Sequence, residues 1–361
     1  MLVTLVAGAR PNFMKIAPII RAIHQAKTNG SSIDYRLVHT GQHYDRNMSG
    51  QFFEQLEIPA PHANLEVGSG TQAEQTAGIM VAFEKELMQH RPDLVMVVGD
   101  VTSTMACSIA AKKLNIKVAH VEAGIRSWDL SMPEEINRMV TDSITDYFFT
   151  TTEWAGANLL KSGATPETIY WVGNTMIDTL YHNINRLQQP AIWAEKGLEA
   201  GQYLVATLHR PSNVDDPKQL IRLLTILRDR TNGLKVIFPI HPRTAKMLAG
   251  TDFESNNIHF LEPMGYLEFN YLVKNAKGVI TDSGGITEET TVMQIPCITL
   301  RDSTERPETV EIGTNELVGT QPEALLPALE KLLSGQWKKG SIPPRWDGKT
   351  AERIVDILKT L

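Results

Sequence analysis

The residues best suited to chemistry stand in a glycine-containing segment late in the chain. Residues 282–289 read D-S-G-G-I-T-E-E, follow the apolar run 278–281 and open a helical pattern that ends before Pro296. A strand, a turn of small residues and a helix start bring backbone N–H groups and the positive end of a helix dipole to one point. Phosphate is the usual ligand of such a site. The segment therefore predicts a nucleotide or phosphosugar ligand, and a plain strand-to-helix turn is the alternative.

Three acidic residues in the first half of the chain predict proton-transfer chemistry. Asp100 and Glu122 each follow an apolar, strand-like run, and Glu134 follows a proline at a predicted helix start. Because neighbouring parallel strands end at one edge of a sheet, we expect these acids in one pocket. Carboxylates that share a partly dry site raise one another's pKa, which makes an acid and a base from one residue type. The alternatives are a helix cap at Asp100 and ordinary helix-start acids at 134 and 135.

Basic side chains at further predicted strand ends and helix starts suit an anionic ligand. They are Arg10, Lys15 and Arg138 in the first half, and His209, His241 and Arg306 in the second. Arginine offers a planar donor fork to phosphate or carboxylate, and lysine adds a point charge. Surface ion pairs and packing histidines are the alternatives. The histidines lack metal-ligand spacing and the cysteines form no zinc pattern, so the sequence predicts no metal site.

Short apolar β-branched runs alternate with helical patterns along nearly the whole chain, which indicates parallel sheets covered by helices. The predicted strands are 2–7, 35–39, 94–98, 117–121, 147–150, 203–207, 235–239, 258–261, 278–281 and 297–300. The predicted helices include 15–27, 47–56, 72–89, 106–114, 175–187 and 350–361. The chain divides between these two series. We expect a first domain over residues 1–168 and a second over 169–349.

Composition limits the partners and the compartment. The 361 residues carry a formal charge of −6, so no basic field exists to hold nucleic acid or an anionic membrane. Cys107 and Cys297 lie in apolar segments, as core cysteines do in a reducing cytosol. The apolar run 2–9 lacks a preceding basic region and predicts a strand rather than a signal peptide. We therefore expect a cytoplasmic protein that binds neither nucleic acid nor membrane.

Seven ordered motifs resemble those of the non-hydrolysing UDP-N-acetylglucosamine 2-epimerase family, from residue 4 to about residue 320. They are G-A-R-P with Lys15, G-D-V-T-S-T at 99–104, H-V-E-A-G-I-R-S at 120–127, P-E-E-I-N-R at 133–138, H-R at 209–210, T-D-S-G-G-I-T-E-E at 281–289 and R-D-S-T-E-R-P-E at 301–308. The resemblance implies an α/β protein of two Rossmann-like, doubly wound parallel-sheet domains of the GT-B type, with an active-site cleft between them. It also implies a C-terminal helix, 350–361, that crosses back to the first domain.

The family's reaction exchanges UDP-GlcNAc and UDP-ManNAc by inverting C2, without a cofactor and in a homodimer. The resemblance implies that UDP first leaves C1 in an elimination that gives 2-acetamidoglucal. UDP then re-adds, with the proton delivered to the other face. The implied catalytic residues are Asp100, Glu122 and Glu134, which handle protons, and His209, which holds the charge of the leaving group. The implied ligand contacts are Arg10, Lys15, Arg138, His209, His241, Ser283, Gly284, Gly285, Glu289 and Arg306.

Departures from the family pattern leave the substrate open. Asn12 and Ser212 stand where members usually carry Glu, and residues 42–48 differ from the Q-H-x-x-M-L of members activated by a second UDP-GlcNAc. The pattern G-A-R-P-x-F occurs among enzymes that epimerise UDP-2,3-diacetamido-glucuronate. A hydrolysing epimerase, a GT-B glycosyltransferase and a UDP-sugar-binding protein without turnover are also compatible with these motifs. Three clustered acids would have no clear role in a transferase or in a binding protein.

Overall fold

A computed structural model describes residues 1–41, 53–240, 242–248, 250–251 and 253–361. The described chain divides into two compact units, residues 1–182 with 344–361 (unit 1) and residues 183–343 (unit 2). The domain boundary that we placed between residues 168 and 169 stays a prediction.

Unit 1 contains a seven-stranded parallel sheet in the order β3-β2-β1-β4-β5-β6-β7. Its strands are β1 (Leu2–Ala7), β2 (Asp34–His39), β3 (Ala63–Asn64), β4 (Leu94–Val98), β5 (Lys117–Val121), β6 (Tyr147–Thr150) and β7 (Ile169–Trp171). Every residue of β4 is buried, as expected for a central strand that has helices on both faces.

The described helices of unit 1 lie between these strands or follow them along the chain. They are α1 (Arg10–Thr28), α2 (Gln72–Gln89), α3 (Thr102–Lys113), α4 (Pro133–Ile144), α5 (Glu153–Lys161), α6 (Thr175–Asn183) and α15 (Thr350–Leu358). Helix α1 begins five residues before the predicted start, because Pro11 suits the first turn and the Asn12 Oδ1 accepts the Ala9 N–H at 2.9 Å.

Unit 2 repeats this architecture with a six-stranded parallel sheet in the order β10-β9-β8-β11-β12-β13. Its strands are β8 (Tyr203–Thr207), β9 (Lys235–Pro239), β10 (Ile258–Leu261), β11 (Gly278–Thr281), β12 (Cys297–Thr299) and β13 (Asn315–Leu317). Its described helices are α7 (Ala191–Glu195), α8 (Pro211–Val214), α9 (Pro217–Arg230), α10 (Pro242–Leu248), α11 (Tyr266–Asn275), α12 (Gly284–Met293), α13 (Pro307–Glu311) and α14 (Leu325–Leu333).

The C-terminal helix α15 packs within unit 1, beside α1. The buried Asp178 carboxylate accepts the N–H groups of Thr350 and Ala351, at 3.1 and 2.7 Å. Those donors open the first turn of α15, so a side chain from α6 satisfies this helix end. Gly173 has φ +109°, and a Cβ there would lie 2.2 Å from the Arg345 carbonyl oxygen. The returning chain therefore requires glycine at position 173.

The predicted α/β class with two parallel sheets is confirmed. Both cysteines are buried free thiols, as expected. The sequence missed the short strands β3, β7 and β13, which have only two or three residues each and carry no periodic signal. Most of the predicted helix 47–56 lies outside the described residues. Among the described helices, none has the length and apolar character needed to cross a bilayer.

Candidate active site

The strand order of each sheet reverses at one point, between β1 and β4 in unit 1 and between β8 and β11 in unit 2. Open α/β sheets bind ligands beyond the carboxyl ends of the strands at such a switch point. Asp100 follows β4 and His209 follows β8, while the D-S-G-G segment follows β11. The topology therefore places the residues singled out from the sequence where each sheet can bind a ligand.

A tight turn after β4 presents Asp100. Gly99 has φ +68°, and a Cβ added there would lie 3.0 Å from the Lys15 Nζ, so the turn requires glycine. The Asp100 carboxylate forms an ion pair with Arg138. The backbone carbonyl oxygen of Asp100 accepts a hydrogen bond from the Asn137 side-chain amide at 2.8 Å. Helix α3 starts after Val101 without a side-chain cap, which excludes the helix-cap alternative for Asp100.

Glu122 combines burial, an ion pair and an unusual backbone. Its φ is +71°, a left-handed conformation that few non-glycine residues adopt. The N–H groups of Glu122 and Ala123 both donate to the Phe149 carbonyl oxygen, at 3.0 and 3.2 Å, which holds the strand end in this bent form. The Lys15 Nζ lies 2.7 Å from the Glu122 Oε2, and both side chains are largely buried. Backbone strain of this kind concentrates at functional sites.

Helix α4 supplies the remaining residues of the unit 1 site. Glu134 is half-buried in its first turn, and Arg138 lies one turn later on the same face. The fully buried Glu135 carboxylate accepts the N–H groups of Ser127 and Trp128 and pairs with the Arg138 Nη1 at 2.7 Å. Glu135 therefore orients Arg138, a role that the sequence did not reveal because acids are common in first helical turns.

A buried histidine of unit 1 was also not predicted as a site residue from the sequence. The His120 Nδ1 lies 2.7 Å from the Asp142 Oδ1, and its Nε2 lies 2.8 Å from the Gly99 carbonyl oxygen. Asp142 further accepts the Gly124 N–H at 3.0 Å and pairs with Arg126 at 2.7 Å. Burial alone would raise the Asp142 pKa, but the charges and hydrogen bonds of His120 and Arg126 hold it below its usual range.

In unit 2, the Asp282 carboxylate organises the end of β8. It accepts the backbone N–H groups of His209 and Arg210 and the side-chain amide of Asn213, and it lies 2.7 Å from the His209 Nδ1. Burial would raise the Asp282 pKa, yet His209 and these donors hold it below its usual range. The His209 side chain is 59% exposed and anchored through Nδ1, so the Nε2 is the ring nitrogen that can meet a ligand.

The D-S-G-G segment forms the start of helix α12, as predicted. Ser283 is the N-cap residue, but its hydroxyl makes no cap hydrogen bond, and Gly284 and Gly285 begin the first turn. A Cβ added at Gly284 would lie 2.8 Å from the Glu305 Oε1, so a carboxylate already approaches this helix end. Helix N-termini attract anions in this way.

The two glutamates one turn into α12 have different partners. Glu288 forms a buried ion pair with Arg306. The Glu289 Oε1 accepts the Tyr266 hydroxyl at 2.7 Å and lies 3.5 Å from the Asn270 side-chain amide. Burial raises the Glu289 pKa to about 7, although the hydrogen bonds of Tyr266 and Asn270 oppose that rise. A buried glutamate whose partners are neutral thus titrates near neutrality.

Within unit 1 the structure brings Lys15, Asp100, Glu122 and Arg138 to one edge of the sheet, with Glu134 on the adjoining helix. Within unit 2 it brings His209 and Ser283 to one edge, through Asp282. His241 and the side chain of Arg10 lie outside the described residues, as do residues 42–48 of the activation motif. No cluster of possible metal ligands occurs in the part of the chain that the structure describes.

Known proteins resemble this chain over its full length. A UDP-N-acetylglucosamine 2-epimerase of Methanocaldococcus jannaschii is 43% identical over 99% of both chains. A Pseudomonas aeruginosa UDP-2,3-diacetamido-2,3-dideoxy-D-glucuronate 2-epimerase is 36% identical, again over 99% of both. The crystal structure of the M. jannaschii enzyme with UDP-GlcNAc and UDP superposes with a TM-score of 0.88, at 42% identity and full coverage of both chains. The family model for UDP-N-acetylglucosamine 2-epimerase matches residues 25–359, and this chain belongs to that family.

Proposed function

We propose that this protein is a non-hydrolysing epimerase that interconverts UDP-GlcNAc and UDP-ManNAc. The observation that carries the proposal is the group of acids at the β4 and β5 ends, in which Asp100 faces Arg138 and Glu122 faces Lys15. The M. jannaschii relative, a UDP-N-acetylglucosamine 2-epimerase that matches over 99% of both chains, supports the same conclusion. An acid cluster in a chain that also carries a nucleotide-binding motif suits proton transfer on a sugar more than simple binding.

Inversion at C2 requires help because the C2 proton is not next to a carbonyl group. Elimination solves this problem: the C1–O bond breaks, UDP leaves with the electron pair, and a base removes the C2 proton to give 2-acetamidoglucal. In the reverse addition, UDP returns to C1 and an acid delivers a proton to the opposite face of C2. The reaction is balanced without a redox partner and needs no cofactor.

We assign the leaving UDP to residues of unit 2. The N–H groups at the start of α12, around Ser283 to Gly285, and the exposed edge of His209 suit the diphosphate. Glu289 is assigned to the ribose hydroxyls. Arg10 and His241 remain assigned to the ligand by the sequence motifs alone, and Arg306 supports the site through Glu288.

We assign proton transfer to Asp100, Glu122 and Glu134 of unit 1. Lys15 places a positive charge 2.7 Å from Glu122, so an ionised Glu122 has its countercharge at hand. Arg138 holds the carboxylate of Asp100 and is itself held by Glu135. A base and an acid on different faces of the sugar are what the two half-reactions require.

A UDP-2,3-diacetamido-glucuronate is the second candidate substrate. The P. aeruginosa relative that is named for this substrate is 36% identical over 99% of both chains, and the G-A-R-P-x-F pattern points the same way. The elimination chemistry would be unchanged, so only the sugar differs between the two candidates.

We further propose a cytoplasmic homodimer that supplies N-acetylmannosamine-type units to surface polysaccharide. Exposed apolar side chains on unit 1, among them Leu130, Ile136 and Met139, support an association surface there. Light scattering during size-exclusion chromatography tests the stoichiometry, and Ile136→Asp is expected to shift a dimer to a monomer. A monomeric wild-type protein would contradict this part.

Proton NMR of the purified protein with UDP-GlcNAc in D2O tests the activity. We expect UDP-ManNAc to appear together with deuterium at C2 of both sugars. Free ManNAc would indicate the hydrolysing reaction instead. Absence of exchange in spite of UDP binding, with exchange on the diacetamido-uronate, would move the assignment to the second candidate.

A further inference from the structure

We infer that His120 is a positioning residue that acts as a fixed imidazolium and holds the Gly99–Asp100 turn in place for catalysis. The expected effect of His120 on turnover rests on the proposed function. The positive charge of its ring does not depend on that function. His120 is fully buried on β5 and does not belong to the proton-handling group named above.

The hydrogen-bond partners of the ring determine its protons. The Nε2 faces the Gly99 carbonyl oxygen at 2.8 Å, and a carbonyl oxygen can only accept, so Nε2 must carry a proton. The Nδ1 faces the Asp142 Oδ1 at 2.7 Å. An ionised carboxylate can also only accept, so Nδ1 carries a proton as well.

Further contacts support an ionised Asp142. Its Oδ2 accepts the Gly124 N–H at 3.0 Å and lies 2.7 Å from the Arg126 Nη1. A neutral carboxyl that donates an Oδ1 proton to Nδ1 would lose the negative charge that pairs with the buried Arg126 guanidinium, which is costly. His120, Arg126 and Asp142 then carry a net charge of about +1, from two cations and one anion, beside the strand ends that present Asp100 and Glu122.

The Gly99 carbonyl oxygen is the point at which this network reaches the site. Gly99 lies between β4 and Asp100, its N–H donates to the Val121 carbonyl oxygen at 3.0 Å, and its φ is +68°. A Cβ added to Gly99 would lie 3.9 Å from the Glu122 Oε2, so the turn is next to both acids. A charge-assisted bond from His120 therefore fixes the peptide that carries Asp100.

Helix α4 connects the same network to the sugar-facing residues. Asp142 lies in the last turn of α4, while Asn137 and Arg138 bind the carbonyl and the carboxylate of Asp100 from its middle. The turn is thus held from β5 through His120 and from α4 through Asn137 and Arg138. Loss of His120 removes one of these supports without removing any group that would contact the sugar.

The test combines 15N NMR of the histidine rings with kinetics of His120→Gln. In wild-type protein labelled at the histidine nitrogens, we expect both His120 nitrogens to show the chemical shifts of protonated nitrogens at pH 7. The signals are assigned by their loss in His120→Gln. A non-protonated Nδ1 at pH 7 would overturn the inference, whatever substrate the enzyme uses.

For His120→Gln we expect kcat to fall about 100-fold while KM changes less than about 3-fold, because a misplacement near 1 Å costs about that much. Rates are expressed per UDP-binding site, so a smaller fraction of folded protein does not lower the measured kcat. His62→Gln is the matched control, since the His62 Nδ1 accepts the Leu37 N–H at 3.0 Å elsewhere in unit 1. Equal kcat values for the two variants would contradict the positioning role.

If His120→Gln does not fold, Asp142→Asn provides the test. The amide lacks the negative charge that pairs with the imidazolium and offers an N–H to Nδ1, so we expect Nδ1 to lose its proton while Nε2 keeps its bond to Gly99. If both ring nitrogens stay protonated in Asp142→Asn, the charge of Asp142 does not hold the imidazolium and the inference is wrong. Failure of the proposed function is distinguishable, because it would abolish wild-type turnover and leave the nitrogen shifts as described.

Discussion

Glu122 of unit 1 and Glu289 of unit 2 are buried glutamates near the carboxyl ends of parallel strands, yet their surroundings differ in charge. Glu122 faces the Lys15 ammonium at 2.7 Å, whereas Glu289 faces the hydroxyl of Tyr266 and the amide of Asn270. Burial penalises a carboxylate in both places, but only Glu122 has a cation beside it to offset that cost. One fold thus provides two kinds of carboxyl group.

This difference matches the division of roles that we propose. A countercharge allows a buried carboxylate to be present in its ionised form, which is the form in which a general base starts the reaction. A carboxyl group whose pKa burial raises to about 7 is instead partly protonated near neutral pH, so it can donate to a sugar hydroxyl as well as accept from one. The backbone supports the same distinction, since Glu122 has φ +71° while Glu289 lies inside a regular helix.

The largest effect is expected for Glu122→Gln. The amide keeps the size of the side chain but cannot take a proton, so we expect turnover in the D2O assay to fall at least about 10³-fold. UDP affinity, measured by calorimetry, should change less than about 3-fold. A large loss of UDP binding would mean that Glu122 holds the nucleotide rather than moving protons.

Glu86→Gln is the matched control for that variant. Glu86 is another mostly buried glutamate of unit 1, paired with Arg36 at 2.5 Å between α2 and β2. Its loss should lower the free energy of unfolding and leave kcat per folded molecule within about 2-fold of wild type, because a broken ion pair away from the site affects stability alone. A loss of turnover in both variants would show that Glu122→Gln acts through folding.

Glu289→Gln tests whether the pKa of Glu289 is raised, through the pH dependence of the free energy of unfolding. The folded pKa of about 7 lies above the ordinary 4.5, so the stabilising contribution of the protonated group is complete below pH 4.5 and is lost as pH rises through 7. Relative to Glu289→Gln, the wild type should lose about 3 kcal/mol of unfolding free energy between pH 4.5 and pH 8. Urea titrations at several pH values measure the free energy of unfolding. If it depends on pH equally in both proteins, the pKa of Glu289 is not raised.

Sequence patterns predicted these two glutamates but not the difference between them. Periodicity located most strands to within a residue, and the motifs named Glu122, Lys15 and Glu289. No local pattern connects Glu289 with Tyr266, which is 23 positions away, or His120 with Asp142, which is 22 positions away. Such pairs form because parallel strands bring distant segments together, and the charge of a partner is decided only then.

His209→Asn should have an intermediate effect and separates binding from proton transfer. The ring is anchored to Asp282 and its exposed edge is assigned to the diphosphate, so we expect about a 10-fold weaker Kd for UDP, or about 1.4 kcal/mol. Calorimetry with UDP measures the change. His182→Asn is the control, because His182 pairs with Glu57 on the surface of unit 1. A Kd for His209→Asn that equals the control would remove His209 from the ligand site.

The smallest effect is expected at two helix caps, one in each unit. The Thr71 hydroxyl accepts the Glu74 N–H at 3.2 Å at the start of α2, whereas the Ser283 hydroxyl makes no cap bond at the start of α12. Thr71→Ala should therefore cost about 1 kcal/mol of unfolding free energy, and Ser283→Ala less than about 0.5 kcal/mol. For UDP the order should reverse, with weaker binding only in Ser283→Ala, because the Ser283 hydroxyl makes no cap bond and stands at a helix start that suits a phosphate. Equal stability losses in the two variants, with unchanged UDP affinity, would mean that Ser283 is an ordinary N-cap of α12. The diphosphate would then bind elsewhere.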